Sequence, residues 1–107
     1  MPKCQVKLLP SAWEDLDQIA NYHLAMVGPA SAEKITDAIL DTVETLGNFP
    51  YMGALHPDPV LAVREYRKVL CGNYVCVYRV IEPDLFVYRI VHGATDYPKY
   101  FKQEQSE

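Results

Sequence analysis

The feature that most limits the fold is a change of hydrophobic period partway along the chain. Up to Asn48 the apolar residues recur at helical spacing, and beyond Arg64 they alternate one in two. Helices with one apolar stripe followed by strands must pack as a helical layer on a sheet, because each element has a face to bury. The helical half opens with a short strand of its own: in residues 3–9, Cys4, Val6 and Leu8 fall on one side and Lys3, Gln5 and Lys7 on the other, until Pro10 stops the pattern.

Ser11-Ala12-Trp13-Glu14 has the spacing of a capping box, and Asp15 suits the positive end of the helix dipole. Ala12, Leu16, Ile19, Ala20, His23 and Val27 then form one stripe, closed by Gly28-Pro29. A second helix carries Ala32, Ile35, Ile39, Val43 and Leu46 on one face and Asp37, Asp41 and Glu44 on the other, with Gly47-Asn48 as its stop. A connection this short predicts an antiparallel helical hairpin. Residues 50–63, with Pro50, Pro57 and Pro59, read as a long loop. Strands at 64–71 and 74–81 flank Gly72-Asn73, a pair suited to a two-residue turn, and a last strand at 85–92 follows Glu82-Pro83-Asp84. The expected fold is α+β: a two-layer, β-α-α-β-β-β domain over residues 1–107, with 103–107 as a disordered tail and a mainly antiparallel sheet.

The strand at 74–81 poses a problem. Tyr74, Cys76, Tyr78 and Val80 point one way while Val75, Val77, Arg79 and Ile81 point the other, so both faces are largely apolar. One helical layer covers one face, and antiparallel sheets with a wet face normally alternate apolar and polar residues. Something must cover the second face: a partner protein contacting Val75, Val77, Arg79 and Ile81, a second copy of the chain as a homodimer, or a loop or the C-terminal tail.

Charge is unevenly distributed. Residues 1–59 hold three Lys against eight acids, a net of −5; residues 60–102 hold seven Lys or Arg against four acids, a net of +3; the last five residues add −2. A net charge of −4 argues against indiscriminate nucleic-acid binding but leaves room for a local basic surface. No 18-residue stretch is free of charge, and no long apolar run follows the N-terminus, so neither a membrane span nor a secretory signal is expected, and a cytoplasmic location is. Three cysteines without a Cys-x-x-Cys pair read as reduced, buried thiols, with no metal or cofactor implied.

Four segments, SAWEDLDQIANY, ETLGNFPYMG, REYRKVLCGNYVCVYRV and YRIVHGATDY, in this order and spacing, resemble the RelE/ParE toxin superfamily from about Lys7 to Tyr100. The resemblance implies the toxin (in some systems a plasmid stabilisation protein) of a type II toxin–antitoxin pair, neutralised by a cognate antitoxin. RelE-like members cut messenger RNA on the ribosome, and ParE-like members poison DNA gyrase. RNA cleavage by 2′-OH attack needs a base, an acid and a cation for the phosphate. His92, Arg67, Arg79, Arg89 and Tyr97 are the residues available for it here. Arg64, Arg67, Lys68, Arg79, Arg89, His92, Asp96 and Tyr97 are the wider set of candidates for gripping a target, with structural ion pairing as the plainer role for the arginines. Trp13 and the tyrosines Tyr66, Tyr74, Tyr78, Tyr88, Tyr97 and Tyr100 are expected to pack rather than to stack on bases. RelE-like enzymes carry a basic residue where this chain has Ala94-Thr95, and they are strongly basic overall. Both departures, and the His92-Gly93-x-x-Asp96-Tyr97 pattern, resemble the ParE-like branch, in which His92 would cap the last strand and Asp96 would fix the segment that follows.

Overall fold

A computed structural model describes residues 3–95, 97–99 and 101; Asp96, Tyr100 and the 103–107 tail lie outside the described residues. The order is β1 (Gln5–Leu8), α1 (Pro10–Met26), α2 (Pro29–Asn48), β2 (Ala54–Leu55), α3 (Pro59–Val63), β3 (Arg67–Cys71), β4 (Tyr74–Ile81) and β5 (Asp84–His92). The strands form one sheet ordered β1-β5-β4-β3-β2, antiparallel except where β1 runs parallel to β5. The α+β architecture, with a helical pair packed on the sheet, is as the period change predicts.

The helix boundaries differ from expectation for local reasons. Helix α1 starts at Pro10, not after Ser11, and Leu9 occupies the cap position without a side-chain bond. Proline is at home in the first turn, where its missing N–H would have no partner anyway. Ser11 therefore lies inside the helix, and the Leu9 carbonyl accepts from Ala12 and Trp13 instead of a capping box forming. The two helices turn at Gly28, whose φ of 135° favours glycine. Gly47 does not end α2, which runs through Asn48. It provides close approach: a Cβ there would lie 3.1 Å from both the Cys4 carbonyl oxygen and a Val6 methyl, and its own carbonyl accepts the Cys4 N–H at 2.9 Å.

Residues 50–63 are not a simple loop. They add the two-residue β2 beside β3 and the short α3, whose N-cap Asp58 accepts from the Val60 and Leu61 amides. The strand expected from residue 64 begins at Arg67, because Arg64 caps α3 and Glu65 takes a positive φ of 64°. In the hairpin that follows, Gly72 (φ 59°) supplies the left-handed turn residue, and Asn73 does not.

The sheet separates two cores. On the helix side, Ala12, Leu16, Ile19, Ile39, Val43 and Leu46 pack on Cys76, Tyr78, Leu85, Val87 and Ile90. Of the expected α1 stripe, Val27 falls outside it, 71% exposed at the hairpin tip. On the other side, Val75, Val77 and Val91 lie beneath Leu61, Tyr66, Tyr97 and Phe101. The second apolar face is thus covered by this chain's own α3 and C-terminal segment. The three cysteines are reduced and buried, and burial pushes the Cys76 thiol up to about 12.

The 50–53 turn is clamped from within. The fully buried Tyr78 hydroxyl donates to the Pro50 carbonyl at 2.9 Å and accepts the Gly53 N–H at 3.0 Å, while Arg67 donates to the Gly53 carbonyl at 2.7 Å. A Cβ on Gly53 would come within 2.5 Å of the Lys68 carbonyl oxygen and 2.6 Å of the Tyr78 hydroxyl. Gly53→Ala is therefore expected to cost about 1–3 kcal/mol of stability by overpacking, read as a lowered urea midpoint. An unchanged midpoint would mean that the turn is not held this way.

Candidate functional site

The site is built around one carboxylate. Asp15, 8% exposed on α1, accepts from Arg89 Nε at 2.7 Å, from Arg89 Nη2 at 3.0 Å and from the Ile90 backbone N–H at 2.9 Å. A break in register makes this reach possible. The β4–β5 pairing shifts between Val77 and Tyr78, so Tyr88 faces no partner residue across the ladder. Tyr88 packs on the second core, and Arg89 extends to the helical layer. Asp15 had been read from the sequence as a residue for the helix dipole; its larger role is as the counter-ion of Arg89. The signal was available in the spacing, since Asp15 sits between Ala12, Leu16 and Ile19 on the buried stripe.

Beside this pair, a cleft of about 520 Å³ opens between α1 and the ends of β4 and β5, with Tyr22, His23, Tyr74 and His92 among its walls. His23 bridges the layers, one ring nitrogen 3.1 Å from Ser31 Oγ and the other 3.1 Å from the Tyr74 hydroxyl. Burial raises the Tyr74 hydroxyl above its ordinary value, with a smaller contribution from Tyr22. His92 meets Tyr74 edge-on at 5.6 Å, and its Nδ1 accepts the Ala94 N–H at 3.1 Å. That bond places the ring hydrogen on Nε2 and ties the imidazole to its own turn.

The other sequence candidates are scattered. Arg67 shares the Tyr78 face of the sheet, bonded to the Gly53 carbonyl and lying 4.9 Å over the Tyr51 ring. Arg79 is on the opposite face, 5.3 Å over the Tyr66 ring and 3.4 Å from the Tyr88 hydroxyl. Lys68 stands opposite Val77 on that same face, and Arg64 closes α3. Tyr97 is 6% exposed, with its hydroxyl 2.8 Å from His56 Nε2. Val75 and Val77, expected as antitoxin contacts, are 4% and 0% exposed beneath the chain's own residues, whereas Ile81 is 46% exposed. His56 had no sequence signal at all, being a lone histidine in a stretch read as loop. Among the described residues, no group of three or more His, Cys, Asp or Glu is placed to hold a metal ion, and no helix is long and apolar enough to cross a membrane.

The sequence matches the family model of the ParE toxin of the type II toxin–antitoxin system parDE over residues 6–97. The chain belongs to the ParE toxin family, within the RelE/ParE superfamily. The fold is similar to that of a chain from the chromosomal ParDE system of Pseudomonas aeruginosa, with a TM-score of 0.73 and 23% identity, covering 86% of this chain and 98% of that one. It is also similar to a chain of the toxin–antitoxin complex RelBE2 from Mycobacterium tuberculosis, with a TM-score of 0.64 and 18% identity, covering 84% and 98%. No curated protein is similar enough to this sequence to count as a match.

Because His92 is exposed and bonded within its own turn, His92→Gln is expected to leave growth arrest intact and to cost no more than about 1 kcal/mol of stability. A general acid or base at this position would instead lose on the order of 10²–10⁴ in rate. Growth arrest lost at an unchanged urea midpoint would assign chemistry to His92.

Proposed function

We propose that this protein is a bacterial toxin that arrests growth by inhibiting DNA gyrase, in the ParE-like manner, and is held inactive in the cytoplasm by a cognate antitoxin. The whole chain would act as one domain, as a plasmid-stabilising or chromosomal toxin. Family membership supports the toxin–antitoxin reading. One observation favours gyrase over messenger RNA as the target: among the described residues, Arg89 and His92 share a cleft but Arg89 is committed to Asp15, and the other groups a nuclease would need lie elsewhere. Arg89 is bound to Asp15 on the helix side, and Tyr97 is buried against His56 on the other. Arg67 and Arg79 occupy opposite faces, and His92 bonds its own turn. In-line cleavage of a phosphodiester needs base, acid and cation within reach of one phosphate. A surface that grips a protein needs no such convergence.

The antitoxin is expected to use the exposed end of the second face, at Arg79 and Ile81, with Val75 and Val77 reached only where the covering segment moves aside. Arg64 and Lys68 then remain as candidate contacts for the target. The alternative activity, a ribosome-dependent endoribonuclease, and a remnant that binds its partner without toxicity are separated by one experiment. Regulated expression in a bacterial host should stall growth with induction of the DNA-damage response, while translated messages stay intact. Cuts at fixed codon positions in ribosome-bound messages would replace the gyrase reading with the nuclease. Normal growth at full expression of soluble protein would leave only the binding role.

A further inference from the structure

Among the described residues, a polar contact joins the C-terminal segment that closes the second core to a histidine that can carry a proton. His56 precedes α3, is 4% exposed, and donates its backbone N–H to the Tyr66 carbonyl at 2.9 Å. Its Nδ1 accepts the Asp58 backbone N–H at 3.1 Å. An imidazole nitrogen that accepts from an amide has no hydrogen of its own, so the ring is neutral with its hydrogen on Nε2. Nε2 therefore donates to the Tyr97 hydroxyl, 2.8 Å away, and the two rings meet edge-on at 5.5 Å. Tyr97 and Phe101 are the C-terminal residues that lie over Leu61, Tyr66, Val75, Val77 and Val91.

We propose that His56 and Tyr97 form a proton-sensitive latch, which holds the C-terminal segment over the second apolar face while His56 is neutral and releases it when His56 is protonated. A second proton has to go on Nδ1, where it would confront the Asp58 N–H: two donors face each other, and a cation is left in a buried position. The surroundings push in the same direction. Burial is the main cause holding the imidazole below its ordinary value of 6.5, and the nearby Lys68 charge on β3 adds to it. The Asp58 carboxylate opposes them, but it is already engaged with the Val60 and Leu61 amides. Tyr97 contributes no charge, since burial first and Asp58 second raise its hydroxyl above the ordinary range.

The sign follows from which form the closed state prefers. Because the closed state lowers the histidine, the latch holds fully above pH 6.5. It weakens as the pH falls through 6.5 toward the lowered value, by up to tenfold in the closed-to-open ratio per pH unit. Opening uncovers Val75, Val77 and Val91, of which the sequence alone marks Val75 and Val77 as needing a cover.

The test is a titration of the purified full-length chain from pH 8 to pH 5, above the range where ordinary carboxylates protonate. Binding of an environment-sensitive apolar dye reports opening, and far-ultraviolet circular dichroism reports the rest of the fold. Dye binding is expected to rise below pH 6.5 with the dichroism unchanged. His56→Gln should abolish the rise, whereas His23→Gln and His92→Gln should retain it. No rise in the wild type, or the same rise in His56→Gln, overturns the latch. If His56→Gln fails to fold, the wild type answers by proton resonance: an imidazole titration of His56 below 6.5 that tracks dye binding supports the latch. Titration at or above 6.5, or out of step with dye binding, overturns it.

Discussion

The carboxylate of Asp15 sits between the helical layer and the sheet and accepts three hydrogen bonds from β5, two from Arg89 and one from the Ile90 backbone. The side chains of Asp15 and Arg89 are only 10% and 22% exposed. Taking two charges out of water costs several kcal/mol per ion, recovered only when geometry and further hydrogen bonds are good. The Ile90 amide and the two-pronged guanidinium meet that condition. An apolar contact would let α1 slide over the sheet; a buried, directional pair does not. The placement of α1 and the walls of the cleft follow from it, and the break in the β4–β5 ladder is what lets Arg89 reach it.

The remaining constraints sit on the far side of the sheet from α1 or at its edge. Tyr78 reaches from the first core to hold the 50–53 turn, so that β2 can pair with β3. His56, a few residues on, fastens the chain beyond β5 through Tyr97. The two apolar faces of β4 are thereby closed within one chain, by the helical pair on one side and by α3 with the C-terminal segment on the other. That closure removes the need for a partner to bury the second face. It also makes access to that face conditional on what the C-terminal segment does.

How far the sequence could be read follows from the kind of signal each part carries. Periodicity is a property of many residues, so the helical pair, the β3–β4 hairpin and β5 were legible. Boundaries depend on single residues with competing uses. Pro10 could stop a strand or start a helix, and Gly47 could end a helix or admit a crossing strand. Short elements such as β2 and α3 have no period to reveal them. Arg89 was legible as a charged residue in an apolar strand, but its partner lies 74 residues away. A one-residue shift in register decides which face it reaches. Tyr97 entered as a candidate for chemistry and is found packed against a histidine whose importance only the tertiary fold reveals.

If Arg89 belongs to the architecture rather than to a reaction, its value must lie in Asp15. A double-mutant cycle of Asp15→Asn and Arg89→Gln, followed by urea unfolding with growth arrest measured in parallel, puts this to the test. A coupling energy of about 2 kcal/mol or more is expected, with growth arrest declining only as folded protein is lost. Coupling below about 0.5 kcal/mol, with Arg89→Gln abolishing growth arrest at unchanged stability, would contradict the account and place Arg89 on the target.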